Sequence, residues 1–173
     1  MKASVLSALA LLLVTAAVRA DPPGAVDRIL MAGGFVGTVN DDAGSPVDRV
    51  ELGRDATDAD LAGLCELRHL QSLYLRHTHV TEDGLRAVAG LPRLRRLGLC
   101  GANVTDQGLG HLGAMRGLKE LEVFKCPNVT DQGLRHLEAL SQLESLDLRG
   151  CPKVTDQGVG RLRKALPNCE IRR

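Results

Sequence analysis

Aromatic residues are scarce in this sequence, which has no Trp, one Tyr and two Phe among 173 residues. Hydrophobic residues nevertheless make up 44% of the chain, which is enough to form a core. Such a core must consist mainly of Leu, Val and Ala, and these side chains favour many small, similar layers over one large interior. The length suits one domain and leaves little room for a second.

The sequence also lacks an excess of charge of either sign. Its 22 basic and 21 acidic residues give a formal net charge of +1, so no broad electrostatic attraction to nucleic acid or to anionic membranes is expected. We therefore expect no nucleic-acid partner. Most of the basic residues are Arg, and with abundant Ala and Gly this composition is typical of a GC-rich bacterial genome.

The N-terminus has the three parts of a secretory signal peptide over residues 1–20. Lys2 precedes an apolar run over 5–18, and small residues lead to a cleavage site after Ala20. The run of 14 residues is shorter than a membrane-spanning helix requires. The sequence therefore predicts an exported protein, periplasmic or secreted, without stable membrane insertion after cleavage. A retained membrane anchor is the alternative.

A short pattern of leucines occurs four times between residues 70 and 148. Leu70-Gln-Ser-Leu73-Tyr-Leu75 has counterparts that begin at Leu94, Leu118 and Leu143, with spacings of 24 or 25 residues. Each is followed by a Val-Thr-x-x-Gly segment, after which apolar residues return every three or four positions. A period of two followed by a period of three to four predicts a strand and then a helix in every unit.

The threonine and glycine of the second segment have structural explanations. The threonine is well placed to cap the helix N-terminus, with an acidic residue just inside it. The glycine allows close approach of the helix to its neighbour. Because every unit needs the same cap, we assign these residues to folding: Thr81, Thr105, Thr130 and Thr155, with Gly84, Gly108, Gly133 and Gly158.

Units of this size cannot bury an apolar face alone, so adjacent units must stack. In this pattern the chain resembles leucine-rich-repeat proteins over about residues 47–173. The resemblance implies an α/β right-handed solenoid with a parallel β-sheet on the concave face and α-helices on the convex face. Cys126 and Cys151 make the units similar to the cysteine-containing repeats of F-box adaptors and their secreted bacterial relatives. No F-box precedes the repeats, so the ubiquitin-ligase role of that branch is not expected.

The two ends of the repeat region are irregular, as capping units are. Residues 21–46 are expected to form an N-terminal cap with a short helix over 26–31 and a strand over 35–39. A degenerate first unit, four regular units and a C-terminal capping strand then account for residues 47–173.

Side chains next to the strand leucines are expected to point away from the core, because side chains alternate along a strand. Solenoids typically bind through this surface. Arg76 and Arg96 suggest a basic patch beside an acidic one, and exposed aromatics with Arg are common binding anchors. The alternative is an ordinary solvated face on which Arg96 and Glu120 pair. The predicted partner-binding residues are Tyr74, Arg76, Arg96, Glu120, Glu122, Phe124, Asp147 and Arg149.

The five cysteines and five histidines give weaker signals. Cys126 and Cys151 occupy one repeat position, where a pair of buried thiols is favoured over a disulfide. Cys100 is expected to be exposed on the concave face and is the candidate reactive thiol. No histidine combines with a Cys or a carboxylate at a recognised metal-ligand spacing. We therefore predict no metal and no cofactor.

The favoured function is a non-catalytic module that binds a protein or peptide after export, as a monomer, through the concave face. One alternative is a structural solenoid whose units stack on other chains through its ends. The other is a hydrolytic enzyme that uses Cys100 or the acids Glu120, Glu122 and Asp147. An open strand face, however, lacks a pocket that excludes water.

Overall fold

The computed structural model of the chain describes residues 23–31, 33–38 and 45–173. The predicted signal peptide over 1–20 and its cleavage site lie outside these residues. Among the residues described, no helix has the length and apolar character needed to cross a membrane.

One sheet of seven strands runs the length of the described chain, and its strands are ordered as they occur in the sequence. The strands are β1 (Phe35–Thr38), β2 (Val47–Leu52), β3 (Ser72–Arg76), β4 (Arg96–Cys100), β5 (Glu120–Glu122), β6 (Ser145–Asp147) and β7 (Glu170–Arg172). From β2 onwards every pair is parallel, as the repeat predicts. The first pair differs, because β1 runs antiparallel to β2.

A helical segment follows each repeat strand up to β6, and consecutive helices pack side by side. The helices are α1 (Pro23–Met31), α2 (Asp58–Ala62), α3 (Glu82–Ala89), α4 (Asp106–Leu112), α5 (Asp131–Leu137) and α6 (Asp156–Ala165), and a 3₁₀ turn (Gly63–Glu66) continues α2. The helix predicted over 26–31 lies within α1. The strand predicted over 35–39 corresponds to β1 at the positions that the structure describes.

The core lies between the sheet and the helices and is a stack of aliphatic layers. Leu73, Leu97, Leu121 and Leu146 are paired in register on consecutive strands, and none is more than 1% exposed. The buried helix residues Leu85, Leu109, Leu134 and Val159 occupy the equivalent position of consecutive units and belong to the same core. The predicted leucine-rich-repeat solenoid is confirmed. Its aromatic-poor core follows from the size of one layer, which accepts a leucine and little more.

Successive units are connected by hydrogen bonds between a threonine and an aspartate. Asp131, at the start of α5, accepts from both the amide and the hydroxyl of Thr155, at 2.8 and 2.6 Å. Asp106 does the same for Thr130. Asp58 does so for Thr81. Each aspartate therefore does more than face its own helix dipole, because it also binds the N-cap threonine of the next helix.

The hydrogen-bonded pairs Asp58–Thr81, Asp106–Thr130 and Asp131–Thr155, which we call the Thr–Asp ladder, explain the repeated glycine. A methyl group on Gly84, Gly133 or Gly158 would overlap the carboxylate oxygen of the ladder aspartate in the preceding unit. Gly108 differs, because the atom nearest to a methyl group at that position belongs to the Leu85 side chain. The preceding unit has Glu82 at the ladder position, and Glu82 accepts only from the hydroxyl of Thr105 among the side-chain hydrogen bonds described.

The buried cysteines also connect neighbouring units. The thiol of Cys126 donates to the Leu99 carbonyl at 3.1 Å, and the thiol of Cys151 donates to the Val123 carbonyl at 2.9 Å. Both are free thiols, as predicted. Cys126 and Cys151 align with Thr78 and Ala102 of the earlier units when the strand register is continued past the ends of the strands. The Thr78 hydroxyl is buried and has no hydrogen-bond partner in the described chain.

Two glycines of α6 provide a matched test of the ladder. Gly158→Ala should destabilise the protein by about 1 kcal/mol or more, because the methyl group displaces Asp131 from its hydrogen bonds. Gly160→Ala should stabilise it by about 0.5–1 kcal/mol, because no neighbouring atom lies within 4 Å and alanine favours the helix. Urea unfolding of both variants measures the difference. Equal effects of the two substitutions would contradict the ladder.

Candidate binding surface on the open sheet face

The sheet face turned away from the helices, which we call the open sheet face, is the predicted concave surface. Its outward side chains form two rows across the strands, set by the strand register. The central row contains Glu51, Tyr74, Gly98, Glu122, Asp147 and Arg172. The row before it contains Arg49, Ser72, Arg96, Glu120, Ser145 and Glu170.

Two of the predicted residues lie past the ends of their strands. The strand β5 ends at Glu122 and β6 ends at Asp147, so Phe124 and Arg149 lie in the turns that follow. The chain bends there because Lys125 and Gly150 adopt left-handed backbone angles, with φ of 55° and 77°. Phe124 and Arg149 thus border the open sheet face at its carboxyl edge instead of standing on the strands.

Both arginines of the predicted basic patch are paired with carboxylates of this surface. Arg96 Nε lies 3.1 Å from Glu120 Oε1, so the pairing considered as the alternative is present. Arg76 Nε lies 2.7 Å from Glu51 Oε1. Exposed pairs of this kind contribute about 0–1 kcal/mol each and can exchange partners.

Asp147 and Arg149 form the most complete ion pair on this surface. Arg149 donates from Nε and Nη2 to both carboxylate oxygens of Asp147, at 2.6 to 3.0 Å. These hydrogen bonds lower the pKa of Asp147 and outweigh the opposing effect of burial. Asp147 is therefore charged and already bound to a cation, which does not suit a general acid.

The Phe124 ring is occupied by cations of its own chain. Lys125 Nζ lies 5.2 Å from the ring centroid and the Arg149 guanidinium carbon lies 5.7 Å from it. Both distances are within the range of a cation–π interaction. Phe124 is half-buried beneath these side chains. Its ring is therefore less available to a partner than the sequence suggests.

Tyr74 lies across the one glycine of the central row. A methyl group on Gly98 would be 2.6 Å from Tyr74 Cδ1, so the ring occupies the space that a side chain would need. Burial, followed by the nearby Glu122 and Glu120 carboxylates, raises the pKa of the Tyr74 hydroxyl. Sequence reasoning did not select Gly98 as a site residue. The available signal was a glycine inside a strand, which often marks a close approach.

Glu122 is half-buried beside this glycine and has no arginine or lysine within 4.0 Å among the described residues. Within the described ranges, its one side-chain hydrogen bond is a long contact from Cys100, with 3.8 Å between Sγ and Oε2. The position that a β-carbon would take on Gly98 lies 3.5 Å from Glu122 Oε2, as well as close to Tyr74. The ring and the carboxylate therefore border one small space.

Cys100 does not fit the prediction of an exposed, reactive thiol. It is half-buried, and burial and then Glu122 raise the pKa of the thiol. Reactivity depends on the thiolate, which this surrounding disfavours. Burial, with the Cys151 thiol nearby, raises the pKa of Cys126 still further, to about 12.

A shallow depression of about 400 Å³ lies beyond the carboxyl edge of the sheet, lined in part by Arg54, His77, His79 and Asn103. Its lining includes polar side chains and the cationic side chain of Arg54. In the described ranges, no three residues among His, Cys, Asp and Glu are grouped closely enough to hold a metal ion.

Two segments of the chain, residues 66–89 and 139–162, match a family profile described as leucine-rich repeat. The solved structure of internalin C2 from Listeria monocytogenes is 19% identical with a TM-score of 0.60, over 88% of this chain and 63% of that one. A second Listeria monocytogenes internalin is 22% identical with a TM-score of 0.51, over 65% of this chain and 31% of that one. The chain thus spans less than two thirds of either protein, and the likeness shows a shared fold. No curated protein sequence matches significantly.

The effect of Glu122 on Cys100 can be measured by alkylation. Glu122→Gln removes a neighbouring negative charge, so the pKa of the Cys100 thiol should fall and iodoacetamide should modify it at lower pH. The exposed Cys65 provides the internal reference in the same digest. Mass spectrometry of both peptides across a pH series reports the shift. An unchanged Cys100 profile would show that the two side chains are not coupled.

Proposed function

Because this chain is a leucine-rich-repeat protein, we propose that it binds a protein or peptide through the open sheet face and catalyses no reaction. The observation that carries the proposal is a contrast along each strand. Inward positions repeat the same leucine, whereas the central row changes from Glu51 to Tyr74, Gly98, Glu122 and Asp147. Folding requires the first set. The second set has no such role, and solenoids commonly bind through it.

We further propose that the protein acts after export, in the periplasm or outside the cell, and that it is a monomer. The apolar run over 5–18 and the small residues before Ala20 support export. We also infer that the units belong to the cysteine-containing class of leucine-rich repeats. The hydrogen bonds from Cys126 and Cys151 to the carbonyls of the preceding unit support this assignment.

The enzymatic alternative is weakened by the state of its candidate groups. Cys100 has a raised thiol pKa, while Glu120 and Asp147 are paired with arginines. A general acid or base needs a pKa tuned toward the working pH. Asp147 has the opposite shift, because Arg149 stabilises its charged form.

The assembly alternative is weakened by the way the two ends of the repeat stack are capped. In the first unit, the Thr57 amide and hydroxyl donate to Asp60 of the same turn, at 2.8 and 3.0 Å. In the last unit, Asp156 occupies the ladder position and is bound by Arg173. Residues of this chain therefore satisfy both terminal positions where a second copy would extend the Thr–Asp ladder.

An open-face variant tests the binding proposal. Replacing Tyr74, Arg96, Glu122 and Phe124 with Ala should abolish binding of peptides selected on the wild-type chain, because it removes two aromatic rings and two charges of this surface. The matched control should retain these peptides. It replaces four exposed helix residues with Ala, namely Asp83, Arg86, Gln132 and Arg135. Circular dichroism verifies that both variants are folded. Retention of every ligand by the open-face variant would overturn the proposal.

Export is tested by expressing the 173-residue chain in a bacterium with its own N-terminus. Cleavage after Ala20 should give a periplasmic or secreted product that begins at Asp21, which intact-mass measurement detects. Ala20→Arg should block cleavage and leave residues 1–20 in place. A full-length protein in the cytoplasmic fraction would contradict the proposal.

A further inference from the structure

The acids of the open sheet face differ in whether an arginine neutralises them. Four carboxylates have an arginine partner within 3.1 Å, in the pairs Glu51–Arg76, Glu120–Arg96, Asp147–Arg149 and Glu170–Arg172. Glu122, near the middle of the central row, has no such partner in the part of the chain that the structure describes. It is therefore the acid on this surface whose charge is left for another molecule.

Two basic side chains of this region are already paired with other acids. Arg149 is held by Asp147 through both carboxylate oxygens. Arg76 is held by Glu51 at 2.7 Å. Neither arginine forms an ion pair with Glu122 in the described chain. At longer range, the Arg149 charge interacts with the charge of Glu122, and the Arg76 charge favours the Cys100 thiolate.

An aromatic ring lies beside the unpaired carboxylate. Tyr74 Cδ1 and Glu122 Oε2 both border the point above Gly98 where other residues carry a β-carbon. Tyr74 is half-exposed, and no cation of the described chain is stacked on it, whereas the Phe124 ring has Lys125 and Arg149. We call the space bordered by Tyr74, Gly98, Cys100 and Glu122 the Glu122 notch.

We propose that the Glu122 notch binds an arginine or lysine side chain of the partner, so that the ligand is a peptide or protein segment with a basic residue. This inference rests on the proposed function of the open sheet face. A guanidinium or ammonium group donates to the Glu122 carboxylate while its face or its aliphatic stem packs on the Tyr74 ring. Gly98 is required because a side chain there would displace the Tyr74 ring that borders the notch.

The geometry explains why the notch suits a cation better than the rest of the surface. Glu122 is half-buried, so part of the cost of removing its water is already met by folding. At the neighbouring ion pairs, a ligand cation must first displace an arginine. Screening by salt should weaken the interaction, because the carboxylate is still partly exposed to solvent.

A display library of random twelve-residue peptides provides the probe. The library is selected on the 173-residue chain, and enriched peptides are then tested on the open-face variant, on Glu122→Gln and on the control Glu144→Gln. Glu144 is an exposed acid outside the two rows, paired with Lys119. Each enriched peptide is also synthesised with its arginine replaced by citrulline, which has a similar shape and no charge, or its lysine by norleucine.

The enriched peptides should share a basic residue. Glu122→Gln should weaken their binding at least about tenfold, as should the uncharged peptide, whereas Glu144→Gln should have no effect. The two changes should not add, because each removes the same contact. Thermal unfolding of Glu122→Gln, expected to match the wild type, separates lost binding from lost folding.

Two results would overturn the inference while the proposed function stands. One is a set of peptides that lose binding to the open-face variant but share no basic residue. The other is full affinity of basic peptides for Glu122→Gln. A selection that enriches no peptide, or only peptides that the open-face variant binds equally well, would contradict the proposed function itself.

Discussion

The hydrogen bonds of the Thr–Asp ladder, from Thr81, Thr130 and Thr155 to an aspartate of the preceding unit, are the constraint from which the rest of this structure follows. They place the first turn of one helix against the first turn of the next, as in Asp131 with Thr155. With the helix starts fixed, the leucine layers fall into register across the parallel strands. At Gly84, Gly133 and Gly158 the glycine leaves the space that the ladder carboxylate occupies. A repeat that is too small to fold alone is thereby joined to its neighbours by polar as well as apolar contacts.

This constraint also separates the residues that fold the chain from those available for binding. The ladder threonines, the glycines and the buried cysteines are all accounted for by contacts between units. On the open sheet face, ion pairs such as Arg96–Glu120 neutralise most charges before any partner arrives. Among the carboxylates of the two rows, Glu122 is left without an arginine partner, and it lies beside the partly exposed Tyr74 ring.

The architecture was predictable from sequence because periodicity reports which side of a strand or helix is buried. The spacing of Leu73, Leu97 and Leu121 was sufficient to predict the stacked layers. Partners of individual side chains were harder to predict, because they depend on distances between neighbouring units. The ladder aspartates, assigned only to their own helix dipoles, instead bind the next unit. Cys100 and Phe124 were expected to be exposed, but neighbouring side chains cover them in part. Gly98 has no chemistry of its own and matters only through Tyr74.

A double-mutant cycle between Asp131 and Thr155 tests the role of the ladder most directly. Urea unfolding of Asp131→Ala, Thr155→Ala and the double variant should give a coupling of about 1–2 kcal/mol at neutral pH, because a hydroxyl donates to a charged carboxylate. Burial raises the pKa of Asp131, but the hydrogen bonds from Thr155 outweigh it and leave a net lowering. The coupling should therefore be complete above the pKa of an unfolded aspartate and disappear as the pH falls through the lower, folded value. A coupling near zero at neutral pH, or one that does not change with acid, would contradict the account.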